Sequence, residues 1–214
     1  MALSCLPQFI HDHYEIHEWN HASAILQGDF PNELADICDI LTNFRLRKSH
    51  ILTPGGRKSP IAEELDSAFY ERLWCERKFD TRQQVDGVER LTPTHSIDCF
   101  KNNIGVEIEW NNKDPFFDRD LNNFRLLFEL KALSVGVIIT RCSHLQETFA
   151  DFGKKNSYGS STTHFGKLKP RIDGAGSGGC PVLAFGISDR LLVDDTALHG
   201  SARSTIDLKF DVFS

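Results

Sequence analysis

Three carboxylates in one short stretch have types and spacing that could do chemistry: Asp98, Glu107 and Glu109. Around the two glutamates, Ile104, Val106, Ile108 and Trp110 alternate with Gly105, Glu107 and Glu109. Alternation at period two is the mark of a strand. The glutamates therefore share one face, with Cα atoms roughly 7 Å apart. Asp98 precedes them in His95–Phe100, which reads as the first strand of a hairpin closing near Lys101-Asn102-Asn103. That turn would project Asp98 toward Glu107. Converging carboxylates repel and raise one another's pKa, and a hard, oxygen-seeking divalent cation, usually Mg²⁺, relieves the repulsion. Such an ion screens an anionic phosphodiester, lowers the pKa of its own water and stabilises charge on the leaving oxygen. The chemistry implied is metal-assisted phosphodiester hydrolysis. A solvated strand face carrying paired glutamates has the same spacing, and spacing alone does not separate the two.

A second motif points to another class. His17-Glu18-Trp19-Asn20-His21 spells HExxH, which on a helix turns two imidazoles to one zinc ion with the glutamate as general base of a peptidase. Here Tyr14, Ile16 and Glu18 alternate as in a strand, and His11, His13, His17 and His21 form a histidine-rich stretch where the motif can arise by chance. The Gly-rich stretch Gly174–Gly179 is not followed by Lys-Ser or Lys-Thr, so no phosphate loop and no nucleotide cofactor are expected. It reads as a flexible connection.

The elements that must position the carboxylates alternate in type. Leu34, Ile37, Ile40, Leu41 and Phe44 predict an amphipathic helix over 31–44, with Pro31-Asn32 at its start. Ile61, Leu65, Ala68, Phe69 and Leu73 predict another over 60–74, after a break at Thr53-Pro54-Gly55-Gly56. A helix is expected from Pro115 through Leu133, then buried strands at Val135–Ile139 and Pro181–Ile187. Strands alternating with helices imply an α/β protein with a mixed central sheet flanked by helices. The polar loop over 153–163 is long enough to be functional.

The 214 residues fit a single domain over 1–214. No apolar run reaches the ~20 residues of a membrane span, so no membrane partner is expected. Six scattered cysteines without a CxxC pair suggest a reduced, intracellular protein rather than a usual zinc site. The net charge of −6 argues weakly against nucleic acid, but binding depends on local fields. Two basic stretches stand out: Arg45, Arg47, Lys48, His50, Arg57 and Lys58, and then Lys154, Lys155, Lys167, Lys169 and Arg171.

Ile97-Asp98, then Val106-Glu107-Ile108-Glu109, then Asn111, Asn112, Pro115 and Phe116, resemble the active-site region of the BglII/BstYI family of type II restriction endonucleases, within the PD-(D/E)xK nuclease superfamily. Trp19–Ala22, Ile25-Leu26, Val137–Thr140 and Tyr158–Ser161 extend the likeness over much of 15–190. The resemblance implies a restriction-endonuclease-like core and catalysis by Asp98, Glu107 and Glu109. It implies one or two Mg²⁺ ions held by Asp98, Glu107 and the backbone carbonyl of Ile108. Most of the superfamily has Lys where this chain has Glu109, which would hold a second metal or orient the water. It also implies a homodimer on double-stranded DNA, cutting a palindrome with a central GATC, in the cytoplasm of a bacterium or archaeon as part of a restriction-modification system. Asn111, Asn112, Lys113, Ser160 and Ser161 would lie near the DNA, with a DNA-reading loop and its connection over 153–180. A polar side chain from the helix before the hairpin, Glu76 or Arg77, would join the site. A non-catalytic DNA-binding module is the remaining alternative.

Overall fold

The protein is described here by a computed structural model covering residues 3–54, 58–92, 94–159 and 161–196. In chain order the elements are α1 (Gln8–His13), β1 (Tyr14–Trp19), α2 (Ala22–Asp29), α3 (Pro31–Asn43), β2 (Leu46–Arg47), α4 (Lys48–Leu52), α5 (Pro60–Tyr70), β3 (Cys75–Arg77), β4 (Thr81–Val85), β5 (Val88–Thr92), β6 (Ile97–Lys101), β7 (Ile104–Glu109), α6 (Pro115–Glu129), β8 (Val135–Arg141), α7 (Leu145–Asp151), α8 (Phe165–Asp173), β9 (Val182–Ile187), a 3-10 turn (Asp189–Leu191) and β10 (Leu192–Val193).

Six strands form the central sheet in the order β1-β9-β8-β7-β6-β3. The β7–β8 and β8–β9 pairs are parallel, and the others antiparallel. This is the mixed sheet expected, and every residue of β7, β8 and β9 is buried. Alternation sorts the side chains into two layers. Val106, Ile108, Val137, Ile139, Leu183 and Phe185 face the layer of α2, α3, α5 and α7. Ile138, Val182 and Ala184 face α6 and α8, where Phe117, Leu121, Phe124 and Leu168 pack. On this face β8 and β9 bury Ile138, Val182 and Ala184 with Thr140, while the matching positions of β7 are Glu107 and Glu109.

The expected helices form with shorter ends. α3 starts with proline at its first position, and Ser59 caps α5 by accepting from the Ala62 amide. α5 stops at Tyr70 rather than 74 because Leu73 turns left-handed (φ 66°), and the Trp74 amide donates back to the Phe69 carbonyl. That reversal drops Trp74 into the core, where its indole N–H reaches Asp36. α6 ends at Glu129, four residues early, through the same device at Lys131 (φ 58°). The Gly-rich stretch is a string of tight turns rather than a loose connection. Backbone bonds Gly174 N–Pro170 O, Gly176 N–Arg171 O and Gly178 N–Ala175 O close it onto α8, with Ser177 fully buried. The span 153–180 therefore contains a helix, α8, that its Pro170 and glycines obscured.

HExxH falls on β1 and the turn after it. His17 is on the strand with its ring on Asp173 (2.7 Å), and His21 is left-handed (φ 57°) before α2. Glu18 accepts from Ser23. The helical geometry a zinc peptidase needs is absent, so that reading is set aside. No described helix is long and apolar enough to cross a membrane, and all six cysteines are free.

Close packing of α6 on β8 requires a glycine. A Cβ at Gly136 would stand 2.3 Å from the Phe124 ring, a fixed group between two rigid elements. Gly136→Ala is expected to destabilise the protein by about 1–3 kcal/mol, read as a lower denaturant midpoint with unchanged slope. Phe124→Leu in the same chain should recover part of it. A midpoint equal to that of the parent would rule out this packing.

Candidate active site

The β6–β7 hairpin is built by its turn. Asn102 and Asn103 both adopt positive φ (45° and 65°), the conformation a two-residue type I′ loop demands and asparagine tolerates. The turn sets the register Lys101↔Ile104, Phe100↔Gly105 and Cys99↔Val106. Continued outward, it sets Asp98 beside Glu107. The Asp98 amide lies 3.4 Å from Glu107 Oε2, and Asp98 Oδ2 accepts from the Ile108 amide at 3.0 Å. Tyr70 donates to the Asp98 carbonyl at 3.3 Å.

Glu107 and Glu109, each 1% exposed, point at the first turns of α6. There they meet Asp120, fully buried, and Arg119. Arg119 Nη2 lies 3.2 Å from Glu109 Oε1, Arg119 Nε donates to Asp120 Oδ1 at 2.8 Å, and the guanidinium sits 4.3 Å over the Phe116 ring. Asn112 Nδ2 donates to Glu109 Oε2 at 2.8 Å. Glu107 Oε1 and Asp120 Oδ2 are buried without a hydrogen-bond partner. Burial first, then the neighbouring carboxylates, raises Glu107 well above the ordinary carboxylate range. Burial and Asp120 likewise raise Glu109, against the pull of Asn112 and Arg119. Asp120 is raised mainly by burial, although its bond to Glu109 and the Arg119 charge oppose the rise.

Asp98 and Glu107 therefore meet directly, whereas Glu109 turns to Asn112 and Arg119. Among the described residues, these three do not bring one oxygen each within 4.8 Å of one another. The donor set still suits a hard cation: it is all oxygen, and two of its oxygens are buried with no donor.

A cleft of ≈ 590 Å³ opens over this cluster, lined by Asp98, Ile108 and Glu109 from the hairpin, Arg119 from α6, and Lys58 and Asp66 from the α5 side. Asp66 is 2% exposed, pairs with Lys58 and accepts from Cys99 Sγ at 3.5 Å. It is the polar residue that the helix before the hairpin contributes. Glu76 and Arg77, expected in that role, lie on exposed β3, with Arg77 stacked 4.6 and 4.8 Å from the Phe79 and Phe100 rings. Asp66, Asp120, Arg119 and Lys58 had not been singled out for the site. The signal for two of them was present, since Asp66 and Asp120 are charges inside the apolar stripes Ala62-Leu65-Phe69 and Phe117-Leu121-Phe124.

The loop over 153–163 docks beside the same cleft. The Thr163 amide donates to the Asn112 carbonyl (2.8 Å), the Asp114 amide to the Ser161 carbonyl (3.3 Å), and Lys113 forms a bridge with Thr162. Asn111, left-handed at φ 60°, donates its side chain to the Ser157 carbonyl at 2.9 Å. Asn111 and Asn112 thus line the cleft, with Asn112 committed to Glu109, and Lys113 and Ser161 lie in the segments that pair beside them. Ser160 and Arg57 lie outside the described residues, as does the chain after Thr196.

Comparison with curated protein sequences gives no match. The family model of restriction endonuclease BglII/BglIII matches residues 14–187, which run from the first residue of β1 to the last of β9. That span holds the whole six-stranded sheet, its flanking helices, the carboxylate cluster and the docked loop. The chain belongs to the BglII/BglIII family of restriction endonucleases, which are site-specific deoxyribonucleases.

Proposed function

We propose that this type II restriction endonuclease hydrolyses phosphodiester bonds of duplex DNA with Mg²⁺, at a short palindrome read by a homodimer. The observation that carries the metal dependence is the pair of buried, unpartnered oxygens, Glu107 Oε1 and Asp120 Oδ2, in a cluster of raised carboxyls. Such a site is expensive to fold without a counter-charge.

Asp98 and Glu107 hold the cation, with the Ile108 carbonyl as a further oxygen. When bound, Mg²⁺ supplies charge stabilisation on the phosphate and a water of lowered pKa. Glu109, held by Asn112 and Arg119, would orient water beside the ion. Arg119 and Lys58 bring positive charge into the cleft that receives the phosphate. Asn111 and Lys113, with Ser161 of the loop docked beside them, would face the DNA. Asparagine and serine suit base-edge contacts in the major groove. Resemblance to the BglII/BstYI family favours a GATC-centred site, and the chemistry of these residues neither requires nor opposes it.

The direct test is incubation of the purified protein with plasmid DNA in Mg²⁺ or EDTA, followed by electrophoresis and end-sequencing. Discrete fragments with Mg²⁺ alone are expected. Glu107→Ala should lower cleavage by more than the roughly 100-fold typical of losing an outer-shell partner of a metal, while gel-shift affinity for the cut sequence persists. Mg²⁺-dependent cutting by pure Glu107→Ala at the parental rate would refute the assignment.

The cluster also makes a stability prediction. At about 100 times its Kd, a divalent ion stabilises a folded protein by about 2.7 kcal/mol, a rise in Tm of several degrees for a chain this size. Glu107→Gln, which replaces a carboxyl whose charged form burial disfavours, should raise the Tm of the metal-free protein and abolish the response to Mg²⁺. Parallel Mg²⁺ responses in the two proteins, followed by thermal melting, would place the ion elsewhere.

A further inference from the structure

A second cluster of ligating side chains lies at the same end of the sheet, three strands across from β7 at its outermost edge, and plays no part in the proposed reaction. It gathers Glu15 of β1, Cys142 directly after β8, His144 directly before α7, and Asp189 in the turn after β9. Glu15, Cys142 and His144 can each offer one ligand atom such that all lie within 4.8 Å of one another. His144 Nδ1 is 3.5 Å from Glu15 Oε1, and its Nε2 is 3.2 Å from Cys142 Sγ and 3.0 Å from Asp189 Oδ1.

We propose that Glu15, Cys142 and His144 form a binding site for a divalent transition metal of the Zn²⁺ type, distinct from the carboxylate cluster. Thiolate and imidazole are the ligands such ions prefer, whereas Mg²⁺ takes oxygen. With metal–ligand bonds of roughly 2.0–2.3 Å, the three groups need only a modest contraction around an ion. Two of them can supply it, because Glu15 and His144 are partly exposed side chains. The third is fixed: Cys142 is buried, and its amide donates to the Ile187 carbonyl at 2.9 Å. The Cys142 sulfur lies on the Nε2 side of the ring and Glu15 on the Nδ1 side, so the part-exposed His144 ring must turn to give one nitrogen to an ion between them, which leaves its other N–H for Asp189. A carboxylate on the distal nitrogen is the usual outer-shell partner of a ligating histidine. A histidine between two carboxylates would otherwise be an ordinary surface ion-pair network, and the sulfur beside the ring is the ligand such a network lacks.

The site would tie β1, the end of β8 and the turn after β9 to the start of α7. Because α7 leads into the loop docked on Asn111–Asp114, a bound ion fixes the approach to that loop from the far edge of the sheet. The proposal stands or falls independently of the Mg²⁺ site.

Co²⁺ titrated into the full, metal-free chain tests it. We expect near-ultraviolet absorption from thiolate-to-cobalt charge transfer, saturating at one ion per chain. Zn²⁺ should displace it and excess Mg²⁺ should not. Cys142→Ser should abolish the band, while Cys75→Ser, at an exposed thiol, should leave it intact. Glu15→Gln and Asp189→Asn, at part-exposed positions that the fold tolerates, should weaken Co²⁺ binding, the latter by roughly 10–100-fold. Absence of the band in the parent, its persistence in Cys142→Ser, or undiminished affinity in both carboxylate variants would overturn the proposal.

Discussion

The constraint on which the rest of the structure depends is the burial of like charge between β7 and α6. Asp98, Glu107, Glu109 and Asp120 share one small region, and the last three are essentially removed from water. Arg119 is the one cation described in direct contact with them, and it reaches only Glu109 and Asp120. Glu107 keeps an oxygen with no donor at all. Desolvation and mutual repulsion both favour the protonated forms of Glu107, Glu109 and Asp120, and a cation would relieve the same cost. No pairing of these residues among themselves removes that cost. The surrounding scaffold is correspondingly rigid: parallel strands buried on both faces, a two-residue turn and an aromatic-packed helix hold the carboxylates in place against their repulsion.

That scaffold was legible where side-chain period decides it. The alternation Ile104-Val106-Ile108 placed Glu107 and Glu109 on one face, and Asn102-Asn103 placed the turn that sets Asp98 opposite Glu107. The hydrophobic stripes located α3, α5 and α6. What escaped was set by tertiary packing. The left-handed residues Leu73 and Lys131 stop α5 and α6 early, yet leucine and lysine carry no local signal for that conformation. α8 escaped because Pro170 and the following glycines read as loop. The β4–β5 hairpin had a strong signal that went unused, since Asp86-Gly87 lies between valines and turns with φ 50° and 79°.

The carboxylate cluster was legible in its core and not in its surroundings. A D-x8-E-x-E pattern names three residues of a cluster but cannot name the side chains that helices bring to it. Asp120 and Asp66 lie 11 residues after Glu109 and 32 before Asp98, and only folding of α6 and α5 against the hairpin makes them neighbours. Each does interrupt an apolar stripe, and a charge in such a stripe must find a partner or a function. Asp66 finds Lys58. Asp120 finds Arg119 through one oxygen, and its only other partner among the described residues is the carboxyl of Glu109. The stripe-breaking carboxylate is thus as informative as the strand motif, and the two together define the cluster more narrowly than either alone.

Charge distribution reconciles an acidic chain with a DNA substrate. Most cations of the two basic stretches are already matched: Arg47 and His50 by Glu64, Lys48 by Asp194, Lys167 by Asp114, Lys169 by Asp173, and Arg171 by Asp118. Exposed pairs of this kind contribute little to stability, and they leave little free positive field on the surface. The cleft itself is lined by Lys58, Lys154 and Arg119, of which Lys58 and Arg119 are paired with its own carboxylates. Association driven by phosphate contacts alone would therefore be weak and salt-sensitive. A cation in the carboxylate cluster would change the sign of the field there, so the ion proposed to support hydrolysis would also lower the electrostatic barrier to a phosphate's approach.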